Sequence, residues 1–345
     1  MTPSTTGTLT YDAAIDTAIA DAMREDDSIF VMSTAAPPAL LEAFGPDRVR
    51  GTPISEPAVS GMAIGAAVTG HRPIVHWRNI TFAFNSFDQI ANQAAKLRYM
   101  LGGQSAVPVV FRATCGGGMR LAAQHSQSPY AVFAHIPGLK VIVPSCAQDA
   151  YALMRSAIAD DNPVIFLEPA RLAAVEQEVD RRLEVPIGSA AISRSGTDLT
   201  IVAIGAMVPV AEQAAAALAD RGRSAEVVDV RTVSPLDATT IRNSVRRTRI
   251  LIVADEAPPA CSMAAEITAT VVEDPDTWRA LLTSPRRVCG LPVPIPFSPP
   301  LEDLALPGVD QIIEAAEAAL RVSAVEPPSI TNSARLVKPD SSASR

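Results

Sequence analysis

The sequence predicts two successive three-layer α/β/α domains, and three observations carry that prediction. Short apolar runs alternate with segments of helical period, the pattern of mostly parallel sheets covered on both faces. The alternation runs twice, with a charged stretch, RLAAVEQEVDRRLEVP, lying between Ala170 and Pro186. The length, 345 residues, is too great for one ordinary core and suits two.

Residues 1–8 read as a polar arm. Ile15, Ala18, Ile19, Ala22 and Met23 then recur at helical spacing, and SIFVMS (28–33) is the first apolar strand. A helix through VSGMAIGAAV (59–68), a strand at PIVHW (73–77), a helix at SFDQIANQAAKLRYM (86–100) and a strand at VPVVFRA (107–113) follow. Beyond a glycine run come KVIVPS (140–145), the helix AQDAYALMRSAIAD (147–160) and the strand PVIFLEP (163–169), closing a first domain at 9–185. In the second domain, 186–322, strands at LTIVAIG, SAEVVDV and RILIVADE alternate with helices at VPVAEQAAAALADRG, DATTIRNSVRRT and SMAAEITATVVED. A strand at RRVCGLPV and a helix at DQIIEAAEAALR end it, and residues 323–345, rich in serine and proline, read as a disordered tail.

Composition removes several functional classes. A net charge of -8 with scattered basic residues, and only 4% aromatics, argues against nucleic acid as a partner. Cys115, Cys146, Cys261 and Cys289 form no CxxC pair, and no stretch reads as a leader or a bilayer span. A cytoplasmic protein with reduced thiols and no membrane partner is expected. The four histidines lack metal-ligand spacing, so no metal site is expected in this chain, and no GxSxG elbow is present.

Ligands of parallel sheets bind beyond the carboxyl ends of the strands. Three loops there carry unusual polar residues: TPISEP, HWRNITFAF and TCGGGMRLAAQHSQS. Pro57 suits a first helical position, which puts Glu56 at the cap, either serving free backbone donors or gripping a ligand nitrogen. The three glycines of TCGGG match no nucleotide-phosphate motif and read as a flexible loop that delivers His125 into a polar setting.

In order, TPISEPAVSGMAIGAAVTGHRPIV, FDQIANQAAKLRYMLGGQ, VPVVFRATCGGG, AAQHSQS, HIPGLKVIVPS and DDNPVIFLEP resemble the β subunit of thiamine-diphosphate-dependent 2-oxo acid dehydrogenase E1 components. RTVSPLD, DEAPP and GLPVPIPFSPPLE extend the resemblance, which runs from about Leu9 to Arg321. It implies a pyrimidine-binding domain of transketolase type followed by a transketolase-like C-terminal domain. It implies that Glu56 hydrogen-bonds N1' of the cofactor's aminopyrimidine, that Phe82 stacks on that ring and that Ile54 belongs to the same cofactor site. His125 would face the reacting carbon and assist acyl transfer to a lipoyl group. The diphosphate and its magnesium would be held by an α-type partner, because no GDG motif occurs in this chain. An α2β2 heterotetramer and a lipoyl or carrier domain of an E2-type acyltransferase are the implied assemblies.

Two departures stand out. MSTAAPPALLEAFGPDRV replaces the family's acidic, glycine-rich loop, and HWRN replaces an acidic, mostly apolar run. Arg78 and Arg120, with His76 and Gln124, are therefore candidate contacts for a substrate or anion. The two arginines could equally be solvated or paired with acids of the partner, and a packed histidine is the alternative for His76. Two-carbon transfer from a ketose phosphate is the second enzymatic reading, and a non-catalytic subunit the third. DEAPP and GLPVPIP are expected to serve assembly.

Overall fold

The computed structural model describes residues 5–323. The first part of the chain forms β1 (Thr6–Thr10), α1 (Tyr11–Glu25), β2 (Ile29–Ser33), α2 (Pro38–Arg48), β3 (Val49–Gly51), α3 (Glu56–Val68) and β4 (Arg72–Asn79). It continues through α4 (Ala95–Met100), β5 (Val110–Cys115), α5 (Tyr130–Ala134), β6 (Lys140–Ile142), α6 (Ala147–Ala159), β7 (Val164–Pro169) and β8 (Glu176–Asp180). The second part forms β9 (Ala191–Arg194), β10 (Leu199–Ala203), α7 (Met207–Ala219), β11 (Ala225–Asp229), β12 (Thr232–Ser234), α8 (Ala238–Thr248) and β13 (Leu251–Asp255). It ends with α9 (Met263–Val272), α10 (Pro275–Ala280), β14 (Arg286–Cys289), α11 (Pro299–Ala305) and α12 (Val309–Ser323).

Strands β7, β10, β11 and β13 are buried at every residue, because helices cover both faces of their sheets. The larger sheet has the order β12-β6-β7-β5-β4-β2-β3 and is parallel except for β12. The smaller has the order β14-β13-β10-β11-β9, parallel except for β9. β12 comes from the second half of the sequence yet pairs with β6, Thr232 opposite Ile142. One apolar cluster accordingly runs from Val143, Ile165 and Leu167 to Val202, Val228 and Val253, and the two sheets share it. Trp77 stacks on Phe111 within it, ring centroids 4.7 Å apart, beneath the ends of β4 and β5.

Several expectations are corrected. The polar arm and the charged crossing are not both free: β1 pairs antiparallel with β8, Thr6 opposite Asp180 and Thr10 opposite Glu176. Neither strand carries enough apolar residues to be read from periodicity. The span expected as a helix, 86–100, is helical throughout but not uniformly α: a 3₁₀ segment at Ile80–Ser86 leads into it, and a π-helical stretch at Gln89–Ala94 precedes α4. Apolar spacing marks helical winding there and does not fix the hydrogen-bond offset. The segment replacing the acidic loop forms α2, kinked where Gly45 takes φ 73° ahead of Pro46, followed by β3. Phe44 of that helix lies beneath the guanidinium groups of Arg24 and Arg48. The tail from 324 onward lies outside the described residues, and among those described no helix is long and apolar enough to cross a membrane.

Candidate active site

The site residues gather at the carboxyl ends of the parallel strands, where such sheets open. Glu56 is the first helical residue of α3 and Pro57 the second, with Ser55 as the cap, so the helix begins one residue earlier than expected. Proline is tolerated there because the first turn's N–H groups have no partner within the helix. The Glu56 carboxylate thus sits at the positive end of a helix, half-buried, with Asn85 Nδ2 donating to Oε2 at 3.4 Å.

Asn85 belongs to the 3₁₀ turn 80–86, which also carries Phe82 and binds the histidine loop. Asn79 is buried at the start of that turn and caps it, its Oδ1 accepting from the Thr81 N–H at 3.2 Å and from Thr81 Oγ1 at 2.8 Å. Its Nδ2 donates to the backbone oxygen of His125 at 2.7 Å, and Thr81 Oγ1 donates to that of Gln124. Phe82 meets the His125 imidazole edge to face, centroids 5.4 Å apart at 86°. The Gly116 N–H donates to Gln127 O at 2.9 Å and closes the loop around the histidine. One turn therefore brings Glu56, Phe82 and His125 together. Asn79, Thr81 and Asn85 went unnoticed in the sequence, although Asn-x-Thr before a helical turn is a capping pattern.

Ile54, in the loop before Glu56, is 84% exposed. His76 lines a narrow cleft with Glu56, Ser33 and Thr52, and its Nδ1 is buried without a hydrogen-bond partner. Burial, then the positive charge of Arg112, pushes its pKa down to about 3, so the ring is neutral. Arg112 itself is locked in a buried pair with Glu168, at 2.6 and 3.1 Å, and reaches Asp16 at 2.8 Å. Arg78 is exposed, takes φ 65° and makes no ion pair among the described residues. Gln124 is exposed beside the histidine.

Arg120 is paired within the chain. Its Nη1 lies 2.7 Å from Glu302 and 2.8 Å from Asp303, acids of this same chain on α11, so it is not free for an anion and needs no partner's acid. Nor is the glycine run loose: Gly117 N–H donates to Glu256, and Gly118 N–H to Glu302 at 2.8 Å. Glu256 lies in DEAPP, so one of the two stretches expected to serve assembly touches the histidine loop, while Glu302 lies on α11, beyond GLPVPIP.

Residues 7–176 match the transketolase pyrimidine-binding domain and residues 188–312 the transketolase C-terminal domain. The β subunit of acetoin:2,6-dichlorophenolindophenol oxidoreductase from Cupriavidus necator is 48% identical over 276 residues, 80% of this chain and 81% of that one. The corresponding Bacillus subtilis subunit is 44% identical, with 84% of each chain covered. The pyruvate dehydrogenase E1 β subunit of Rhizobium meliloti is 41% identical, covering 90% of this chain and 70% of that one. A solved structure described as a split gene transketolase, an inactive β4 tetramer, superposes with a TM-score of 0.77 at 23% identity over 92% of this chain and all of that one, which shows the shared fold. With two transketolase-type domains and these relatives over most of its length, the chain belongs to the family of thiamine-dependent E1 β subunits, of the pyruvate and acetoin dehydrogenase type.

Proposed function

We propose that this chain, joined to an α-type partner, decarboxylates a 2-oxo acid and passes the acyl unit to a lipoyl or carrier domain of an E2-type acyltransferase. The observation that carries the reading is the 80–86 turn, which meets the half-buried Glu56 carboxylate through Asn85, carries Phe82 and packs that ring against the His125 imidazole. These residues fit the pyrimidine end of thiamine diphosphate. Glu56 can share a proton with a ring nitrogen and sits where a helix end supports its charge. Phe82 and Ile54 offer apolar surface for a flat ring to pack against. The cofactor supplies the electron sink for breaking a bond beside a carbonyl. Glu56 shares a proton with the pyrimidine nitrogen, donating to it or accepting from it, and so sustains proton movement there. His125 donates to, and exchanges a proton with, the reacting group. Neutral His76 faces the same cleft as a hydrogen-bonding group without charge.

The diphosphate end and its magnesium are assigned to the partner, since the sequence has no GDG motif. Exposed Ile54, Met119 and Leu121, with Leu301 and Leu304 on α11, leave apolar surface beside the site of the kind a partner subunit covers. An α2β2 heterotetramer is the assembly proposed, and the four free thiols suit a reducing cytoplasm.

Acetoin is the second substrate to weigh, because the two acetoin relatives are 48% and 44% identical. Transfer from a ketose phosphate loses one of its two motivating cations, since Arg120 is paired with Glu302 and Asp303. The test is reduction of 2,6-dichlorophenolindophenol by the α-partnered complex with thiamine diphosphate and magnesium, given pyruvate, branched 2-oxo acids, acetoin or ketose phosphates. Turnover with an oxo acid supports the proposal. Turnover with acetoin or a ketose phosphate alone replaces the substrate, and silence throughout in a cofactor-loaded complex removes the enzymatic role.

A further inference from the structure

Two carboxylates of the second domain reach into the glycine run of the first. Glu302 has no exposed surface, and its Oε1 accepts from the Gly118 N–H at 2.8 Å. Its Oε2 accepts from the Arg120 N–H at 3.1 Å and from Arg120 Nη1 at 2.7 Å. Glu256, just beyond β13, accepts from the Gly117 N–H through Oε1 and from Arg171 Nη2 through Oε2 at 2.8 Å. Convergent N–H groups of this kind form a concavity that favours an anion. Here the protein's own carboxylates fill it, in charge-assisted bonds stronger than neutral ones.

The glycines are needed for the fit. Gly116 and Gly118 take φ of +87° and +92°, where a side chain is strained, and a Cβ at 116 would lie 2.8 Å from Glu256 Oε1. A Cβ at 118 would come within 2.3 Å of Arg171 Cδ, disturbing the arginine that pairs with Glu256. Only Leu121 to Gln124 separate this clamped stretch from His125, whose far side is tied by Asn79. The histidine loop is thus held at one end by the first sheet and at the other by the second domain.

The geometry points to Glu256 and Glu302 as positioning residues that set the placement of His125 from the second domain through the glycine run. This rests on the proposed role of His125. Amide exchange over residues 116–126 and steady-state turnover are measured on the α-partnered complex for wild type, Glu302→Gln, His125→Ala and the double variant. Glu256→Gln serves as the second probe should Glu302→Gln fail to assemble.

Glu302→Gln presents an amide donor where both carboxylate oxygens now accept. Exchange should quicken within 116–126, and kcat should fall roughly 10- to 100-fold, as expected for one or two charge-assisted bonds. KM for the substrate should hold within about twofold, and the double variant should run within about twofold of His125→Ala, the non-additivity of groups acting as a unit. Wild-type kcat in Glu302→Gln, or its full penalty repeated in the His125→Ala background, overturns the assignment. A wild-type complex that turns over no candidate substrate fails the functional reading instead. Exchange then judges the clamp alone, and unchanged protection at 116–126 overturns it.

Discussion

Replacing Asn79 with alanine should loosen the aromatic turn and the histidine loop together. The side chain is buried and makes three bonds: Nδ2 to His125 O at 2.7 Å, and Oδ1 from the Thr81 N–H at 3.2 Å and Thr81 Oγ1 at 2.8 Å. The Thr81 groups are partly exposed and regain water, so each of those losses is worth about 0.5 kcal/mol, the low end for a neutral bond. The His125 carbonyl loses a short bond in a partly buried position, which costs about 1–3 kcal/mol. The sum, about 2–4 kcal/mol, is readable as a lowered urea midpoint at unchanged m-value. Turnover should fall with it, because the same bond sets the height of the His125 backbone. Asn79→Asp is the informative companion: it keeps the cap acceptor, removes the donor and places a carboxylate against a carbonyl oxygen, so it should be no better than alanine. A loss below about 0.5 kcal/mol with wild-type turnover would refute the reasoning, since surface-like substitutions fall in that range.

Other outcomes can be checked independently. Glu56→Gln should cost turnover about 10²- to 10⁴-fold while leaving the melting temperature nearly unchanged, since the carboxylate's contact with Asn85 is long, at 3.4 Å; normal turnover would remove Glu56 from the chemistry. Glu168→Gln removes the buried carboxylate of Arg112 and leaves it only the more exposed Asp16 at 2.8 Å, and should destabilise the chain by about 1.5–3 kcal/mol in urea unfolding. Gly118→Ala should cost at least about 1–2 kcal/mol from positive φ alone, seen as a lower melting temperature. Burial, with Asp149 adding and the Ser145 hydroxyl opposing, pushes Asp229 up to about 7. Its folded-state pKa lies above the unfolded one, so the folded chain keeps the proton longer; that stabilisation is full below about pH 4 and lost as pH rises through about 7. Asp229→Asn, which cannot ionise, should therefore gain on wild type between about pH 5 and about pH 8, and an equal difference in urea midpoint at both would count against it.

Much of the fold was legible because parallel strands buried on both faces are plain apolar runs, as at VIFLEP and LTIVA. What stayed hidden was held by backbone pairing or side-chain caps. TGTLT and EQEVD carry too few apolar residues to announce a strand, and they exist because each completes the other's ladder. The π-helical stretch 89–94 shows helical spacing with an unexpected offset. Residue type and setting singled out Glu56 and His125, and the family resemblance added Phe82. Asn79, Thr81 and Asn85 escaped because their work is joining loops distant along the chain. The partner of Arg120 was hidden for a related reason: Glu302 lies 182 positions away, beyond any local pattern.

The short strand β12 has a consequence for how this gene can be cut. It belongs to the second half of the sequence yet closes the β6 edge of the larger sheet. A fragment ending at the charged crossing would leave that edge unpaired, along with apolar side chains of the shared cluster such as Val141 and Val143. Open edges beside apolar surface invite pairing with other chains. An N-terminal half expressed alone is therefore expected to self-associate. A split placed after Ser234 would carry its own edge cover with it, and exchange of the β12 segment between copies offers a ready route to swapped dimers.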